Sequence, residues 1–178
     1  MSEVAFDPEA ILAALERHDV RYVLIGGLAA TLYGSPHVTT DVDITPAADA
    51  GNLERLAAAL VELDARLRVA NEPEGVRFDR SAEALARASI WNLITRHGAL
   101  DLTLTPAGTS GYDDLRRDAV EIDIRGTHVV VASLADVIRS KEAADREKDR
   151  LTLPTLRRLL EEQDRALAAA WDEGAEGG

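Results

Sequence analysis

Two aspartates, Asp41 and Asp43, stand two positions apart in the run Thr39-Thr40-Asp41-Val42-Asp43-Ile44. In an extended strand, residues i and i+2 project from one face, so this spacing places two carboxylates in one small space while Val42 and Ile44 face the other way. Like charges that close penalise each other's ionisation unless a cation intervenes, and hard carboxylate oxygens select Mg²⁺ or Mn²⁺. A third acid, Asp101, sits in the apolar run Leu100 to Leu104, where an uncompensated charge is costly. If the two runs are neighbouring strands, the three acids can bind two metals. The competing reading of an isolated Asp-x-Asp is a turn cap or a solvated strand edge; Asp101 and the glycines upstream weigh against it.

Those glycines, Gly26 and Gly27, follow the short apolar run Arg21 to Ile25 and precede a helical pattern. A strand, a Gly-Gly turn and a helix let backbone N–H groups approach a phosphate closely, although tight turns also need glycine for purely steric reasons. Farther on, Leu134, Val137 and Ile138 form an inward helical stripe that becomes charged at Lys141 and continues through Ala144 and Asp145 to Lys148. A lysine there either neutralises phosphate or lets its ammonium snorkel to water. From Arg139 through Arg158 there are seven basic residues against four acids, the main basic region of the chain.

The elements that must carry these residues follow from pattern and punctuation. Asp7-Pro8 starts a helix with Ile11, Leu12 and Leu15 on one face. Arg21 to Ile25 reads as a buried strand, about 28–33 as a helix, and Val38 to Thr45 as an alternating strand. Asp49 caps an Ala- and Leu-rich helix to about Asp64. Residues 68–87, with Asn71, Pro73 and Gly75, read as a loop-rich connection with room for short strands. Ser89 to Thr95 and Leu100 to Thr105 form a hairpin, and Ala119 to Ile124 with His128 to Val131 form another. Ser133 opens a helix to about Arg150, and Pro154 lies in the first turn of a last helix. The expected class is α/β (α+β), a mixed sheet with flanking helices: a core over 1–132 and a helical part over 133–178 packed on it.

Composition narrows the function. The chain has 178 residues, 32 Asp and Glu against 20 Lys and Arg, and a formal charge of -12, which disfavours broad nucleic-acid or membrane-surface binding. A polyanion partner must use the local basic region. The absence of Cys excludes a disulfide scaffold and a thiolate metal site, and four dispersed His argue against a His-dominated zinc site, while carboxylate chemistry remains. No apolar run is long enough to span a bilayer, and the acidic Glu3 and Asp7 are unlike a signal peptide. A cytoplasmic protein with no membrane partner is expected.

Strand, Gly-Gly, short helix, Thr-x-Asp-x-Asp and a third Asp on a later strand together resemble the nucleotidyltransferase fold of the polymerase-beta type. Thr39 to Asp43, Trp91 to Asp101, and Ser140-Lys141 with Arg146-Glu147-Lys148-Asp149 are similar to its bacterial toxin branch, the AbiEii-like and MenT-like toxins of toxin–antitoxin systems. The resemblance spans about residues 20–150. It implies that Asp41 and Asp43 hold catalytic metals, that Asp101 helps activate the acceptor hydroxyl, that Gly26-Gly27 meets the nucleotide phosphates and that Lys141 binds the triphosphate. Asp149 matches a further acidic position of the toxin branch, and Thr39 a hydroxyl that an antitoxin kinase phosphorylates. The sequence departs from the pattern at Gly27, where Ser is usual, and at His37, where many relatives carry Arg.

The activity implied is metal-dependent transfer of a nucleoside monophosphate from an NTP to an acceptor hydroxyl, with release of pyrophosphate. On the toxin branch the acceptor is the tRNA 3′ end and a cognate antitoxin is a partner. The alternatives are an antibiotic-type small-molecule or protein acceptor, and a non-catalytic nucleotide- or antitoxin-binding module.

Overall fold

The computed structural model describes residues 5–176; Glu3, on which part of the N-terminal reading rests, lies outside them. The chain forms α1 (Pro8–Arg17), β1 (Tyr22–Ile25), α2 (Gly26–Leu32), β2 (Asp41–Pro46) and α3 (Ala50–Glu62). There follow β3 (Arg66–Val69), β4 (Glu72–Val76), α4 (Ala82–Leu85), β5 (Ile90–Thr95), β6 (Gly98–Thr103) and α5 (Tyr112–Arg117). The hairpin β7 (Val120–Ile124) and β8 (Thr127–Val131) leads into α6 (Leu134–Ala144) and α7 (Glu147–Glu176). The strands make one mixed eight-stranded sheet in the order β4-β3-β5-β6-β2-β1-β8-β7.

At its centre β2 runs antiparallel to β1 and parallel to β6, with Ile25 opposite Asp43 and Asp43 opposite Asp101. Alternation along β2 sends Val42 and Ile44 into the core, both fully buried, and leaves Asp41 and Asp43 on the opposite face. Asp7 caps α1 by accepting from the Ala10 N–H at 3.0 Å, and Asp49 caps α3 by accepting from Asn52 N–H at 3.1 Å. Ile11, Leu12 and Leu15 of α1 and Leu53, Leu56 and Leu60 of α3 join Val42, Ile44, Leu100 and Leu102 in one apolar cluster. Buried Asn52 ties β1 to the end of β2, accepting from Arg21 N–H at 2.7 Å and donating to the carbonyls of Arg21 (2.9 Å) and Ala47 (2.8 Å).

Several elements differ from expectation. β2 begins at Asp41 and not at Val38, because its partners end there: the ladder with β6 stops at the Asp41–Ala99 pair and that with β1 at Asp43–Ile25. Val38 is left 93% exposed. The connection over 68–87 is more regular than its turn residues suggest, holding the β3–β4 hairpin and α4, which Ser81 caps. The helix opened by Ser133 does not reach Arg150. Asp145 adopts a left-handed conformation (φ 46°) and its N–H returns to Lys141 O, which ends α6. Arg146 O then accepts from Asp149 and Arg150 N–H, so α7 starts at Glu147 and Pro154 lies inside it, on its exposed side. Leu134, Val137 and Ile138 of α6 and Leu153 and Leu156 of α7 belong to the same apolar cluster as the central strands. Among the described residues, no helix is long and apolar enough to cross a membrane.

Candidate active site

The Asp43–Asp101 register pair and Asp41 one step away bring three carboxylates together, with one oxygen from each within 4.8 Å of the others. Burial comes first among the causes that push the Asp43 carboxyl up to about 7; the charges of Asp41 and then Asp101 add to it, against the opposing pull of Lys148 and Arg146. Burial also raises Asp101, although Arg68 beside it pulls the other way. Three converging acids, one of them carrying a large electrostatic penalty for ionisation, form a donor set that a hard divalent cation fits, since the cation removes that penalty.

The glycine turn is packed against this cluster. Gly26 has φ +71°, and a β-carbon there would overlap the Asp43 carboxylate, lying 2.7 Å from its Cγ. Only glycine satisfies both demands. A β-carbon on Gly27 would meet Thr39 Oγ1 at 2.7 Å. The Thr39 hydroxyl therefore stands against Gly27, the position where the resemblance implies a serine. It donates to Asp41 Oδ1 at 2.7 Å. Thr39 thus meets Asp41 from the chain just before β2, and not as a fellow strand residue.

Beside the acids lies a cleft of about 1010 Å³, lined by Gly26, Gly27, His37, Thr39, Asp41 and Asp43 and, across from them, by Ser140, Lys141, Arg146 and Lys148. Lys141 does not snorkel. Its side chain is 12% exposed and its Nζ donates to Asp149 Oδ1 at 3.0 Å. Asp149 has no exposed side chain and also accepts from Arg146 Nε at 2.7 Å. Burial would raise its carboxyl, but the hydrogen bonds from Arg146 and Lys141 hold it below the usual carboxylate range. Asp149 is absent from the cleft wall and stands behind two cations that reach it. Lys148 arrives from α7 and not, as the stripe predicts, from the helix of Lys141.

Two basic residues gain importance that the sequence reading did not give them. Arg146 is held charged by its hydrogen bond to Asp149 and, more weakly, by the fields of Asp43 and Asp41; its place in the basic run was the available signal. Arg68 donates from Nη2 to both oxygens of Asp101, at 2.8 Å each. It lies in the segment read as loop, so nothing in the sequence linked it to the acids.

No protein-family model matches the chain, and no curated protein matches it in sequence. Solved structures do. A lincosamide antibiotic adenylyltransferase with lincomycin bound superposes with a TM-score of 0.56 at 20% identity, covering 85% of this chain and 95% of its own. The antibiotic-resistance factor ANT(2″)-Ia in complex with adenylyl-2″-tobramycin gives 0.55 at 19% identity, over 94% and 96%. A nucleotidyltransferase candidate from Thermotoga maritima gives 0.51 at 19% identity, over 88% and 96%. The chain has the nucleotidyltransferase fold.

Proposed function

We propose that the protein transfers a nucleoside monophosphate from an NTP to an acceptor hydroxyl. The observation that carries this reading is the convergence of Asp41, Asp43 and Asp101 beside a glycine turn, facing Lys141, Arg146 and Lys148 across one cleft. Asp41, Asp43 and Asp101 are the residues to hold Mg²⁺ or Mn²⁺, which when bound supplies Lewis-acid neutralisation of phosphate charge. Gly26 and Gly27 let Asp43 and Thr39 close against the turn at the cleft wall where the nucleotide phosphates would lie, and Lys141, Arg146 and Lys148 bind the tail that departs. The acceptor oxygen bonds to the α-phosphorus and the bond from that phosphorus to the bridging oxygen breaks. The hydroxyl proton passes to Asp101, and the electron pair leaves with pyrophosphate. Catalysis of this kind is mostly positioning and charge stabilisation. Asp149 acts as a positioning residue that fixes Lys141 and Arg146.

Two acceptor classes have support. The local basic stretch from Arg139 to Arg158 suits a tRNA 3′ end, as in a toxin whose partner is a cognate antitoxin. The antibiotic adenylyltransferases among the structural neighbours suit a small-molecule alcohol. The test is incubation with each of the four α-labelled NTPs, Mg²⁺ or Mn²⁺, and either total tRNA, tobramycin or lincomycin. Label on an acceptor, together with stoichiometric pyrophosphate, supports the reading. NTP binding without transfer to any acceptor favours a binding module instead.

A further inference from the structure

The catalytic row continues past the acids. Asp43 pairs with Asp101, and Asp101 pairs with Asn92 of β5. β3 runs antiparallel to β5 with Leu67 opposite Leu93, so Arg68 falls opposite Asn92. Asp43, Asp101, Asn92 and Arg68 thus cross four adjacent strands on one face of the sheet. Beyond Asp101 this face is open: Asn92 is exposed, the Arg68 side chain is 42% exposed and Ile90, which also lines the cleft, is 56% exposed. Strands β3, β5 and β6 contain no acid other than Asp101. Neighbouring β4 carries Glu72, opposite Val69, and Glu74, 3.9 Å from Arg66, both exposed to solvent.

We propose that Arg68, with Asn92, forms the acceptor subsite, and that it selects an acceptor carrying a phosphodiester beside the reacting hydroxyl. The inference rests on the nucleotidyltransfer reading and chooses between its two acceptor classes. The Arg68 Nη2 group, which donates to both oxygens of a carboxylate, can donate in the same way to the two free oxygens of a phosphodiester. Arg68 now neutralises Asp101; a cation shared by the three acids competes for the same oxygens, and the released guanidinium is then placed for an anion entering over Asn92 and Ile90. A polycationic alcohol such as tobramycin meets the Arg68 guanidinium there, and its ammonium groups must compete with that guanidinium and the bound cation for Asp101, the one acid that β3, β5 and β6 offer.

The test uses the full chain as wild type, Arg68→Lys and Arg68→Gln. In nucleotide-free Mn²⁺ titrations, Arg68→Gln is expected to bind Mn²⁺ at least threefold more tightly than wild type, because the guanidinium no longer competes; unchanged or weaker binding overturns the exchange. In equilibrium dialysis with Mn²⁺ and a saturating non-hydrolysable NTP analogue, the probes are tobramycin and labelled CpA, a dinucleoside monophosphate with a free 3′-hydroxyl. Wild type is expected to bind CpA and not tobramycin, with at least tenfold loss in Arg68→Gln and partial retention in Arg68→Lys. Equal CpA binding by wild type and Arg68→Gln, no CpA binding by wild type, or preference for tobramycin overturns the proposal. Asp41→Asn separates the levels: Mn²⁺ binding unaffected by it removes the metal site itself, whereas Mn²⁺ binding lost in Asp41→Asn alongside unaltered CpA binding in Arg68→Gln removes only the acceptor subsite.

Discussion

The Lys141 ammonium lies 3.0 Å from an oxygen of Asp149, a carboxylate with no exposed side-chain surface. This pair, reinforced by Arg146 on the other oxygen, fixes where the cleft's positive charge stands. Asp149→Asn strips Lys141 and Arg146 of their shared counter-charge and is expected to cost about 3 kcal/mol, since breaking a buried pair leaves charge uncompensated. The KM for NTP should rise with it. Lys141→Met breaks the same pair from the other side and should both lower Tm and raise the KM for NTP. Measured by thermal melts and NTP kinetics, a kinetic loss in Asp149→Asn at unchanged Tm would make Asp149 a participant in the chemistry and not a positioning residue.

Gly26→Ala should damage both fold and site. The left-handed conformation alone disfavours alanine by about 1 kcal/mol, and the added carbon overlaps the Asp43 carboxylate. The expected outcome is a lower Tm and loss of Mn²⁺ binding together. A variant with normal Mn²⁺ affinity would show that the close approach of Gly26 to Asp43 is dispensable.

The Asp43 carboxyl, pushed up to about 7, gives a signed pH dependence. Its ordinary value is 3.8, so between roughly 4 and 7 the folded chain binds more protons than the unfolded one and this group's contribution to stability falls as pH rises. Mg²⁺ competes with that proton. The rise in Tm caused by Mg²⁺ should therefore be larger at pH 8 than at pH 5.5, and the difference should vanish in Asp43→Asn. An equal rise at both pH values in wild type would contradict metal binding at Asp43.

A phosphate on Thr39 should silence transfer. The hydroxyl already touches Asp41, so phosphorylation adds a charge of about -1.5 to -2 beside two metal-binding candidates. Thr39→Val, which loses only the hydrogen bond to Asp41, should keep the fold and retain partial activity. Full transfer by a Thr39 phosphoform, prepared with a kinase and verified by mass spectrometry, would refute this regulatory position.

The acids were legible because period two is a local property: Asp41 and Asp43 share a face in any strand, and Asp101 declared itself as a charge in an apolar run. The pairing of β2 with β6 that joins them is a long-range outcome, reached only as a condition. Lys141 was visible as a charged position on an apolar stripe, but its partner was not. The left-handed Asp145 breaks the helix and folds Asp149 back beneath Lys141, and nothing in the periodicity marks that residue as a helix end. Arg68 was hidden for a similar reason. The turn residues Asn71, Pro73 and Gly75 signalled a loop, while β3, just before them, pairs with β5 and so carries Arg68 to Asp101 across the sheet.

The most direct measurement is transfer from α-labelled NTP to an acceptor by wild type, Asp41→Asn and Asp43→Asn, with and without Mg²⁺ or Mn²⁺, scored for labelled product and pyrophosphate. Wild type should form both in equal amounts only when the cation is present, and each variant should fall at least a hundredfold while its melting temperature stays at or above that of cation-free wild type. Transfer at wild-type rate by either variant, or undiminished transfer in chelator, would contradict chemistry at the three acids.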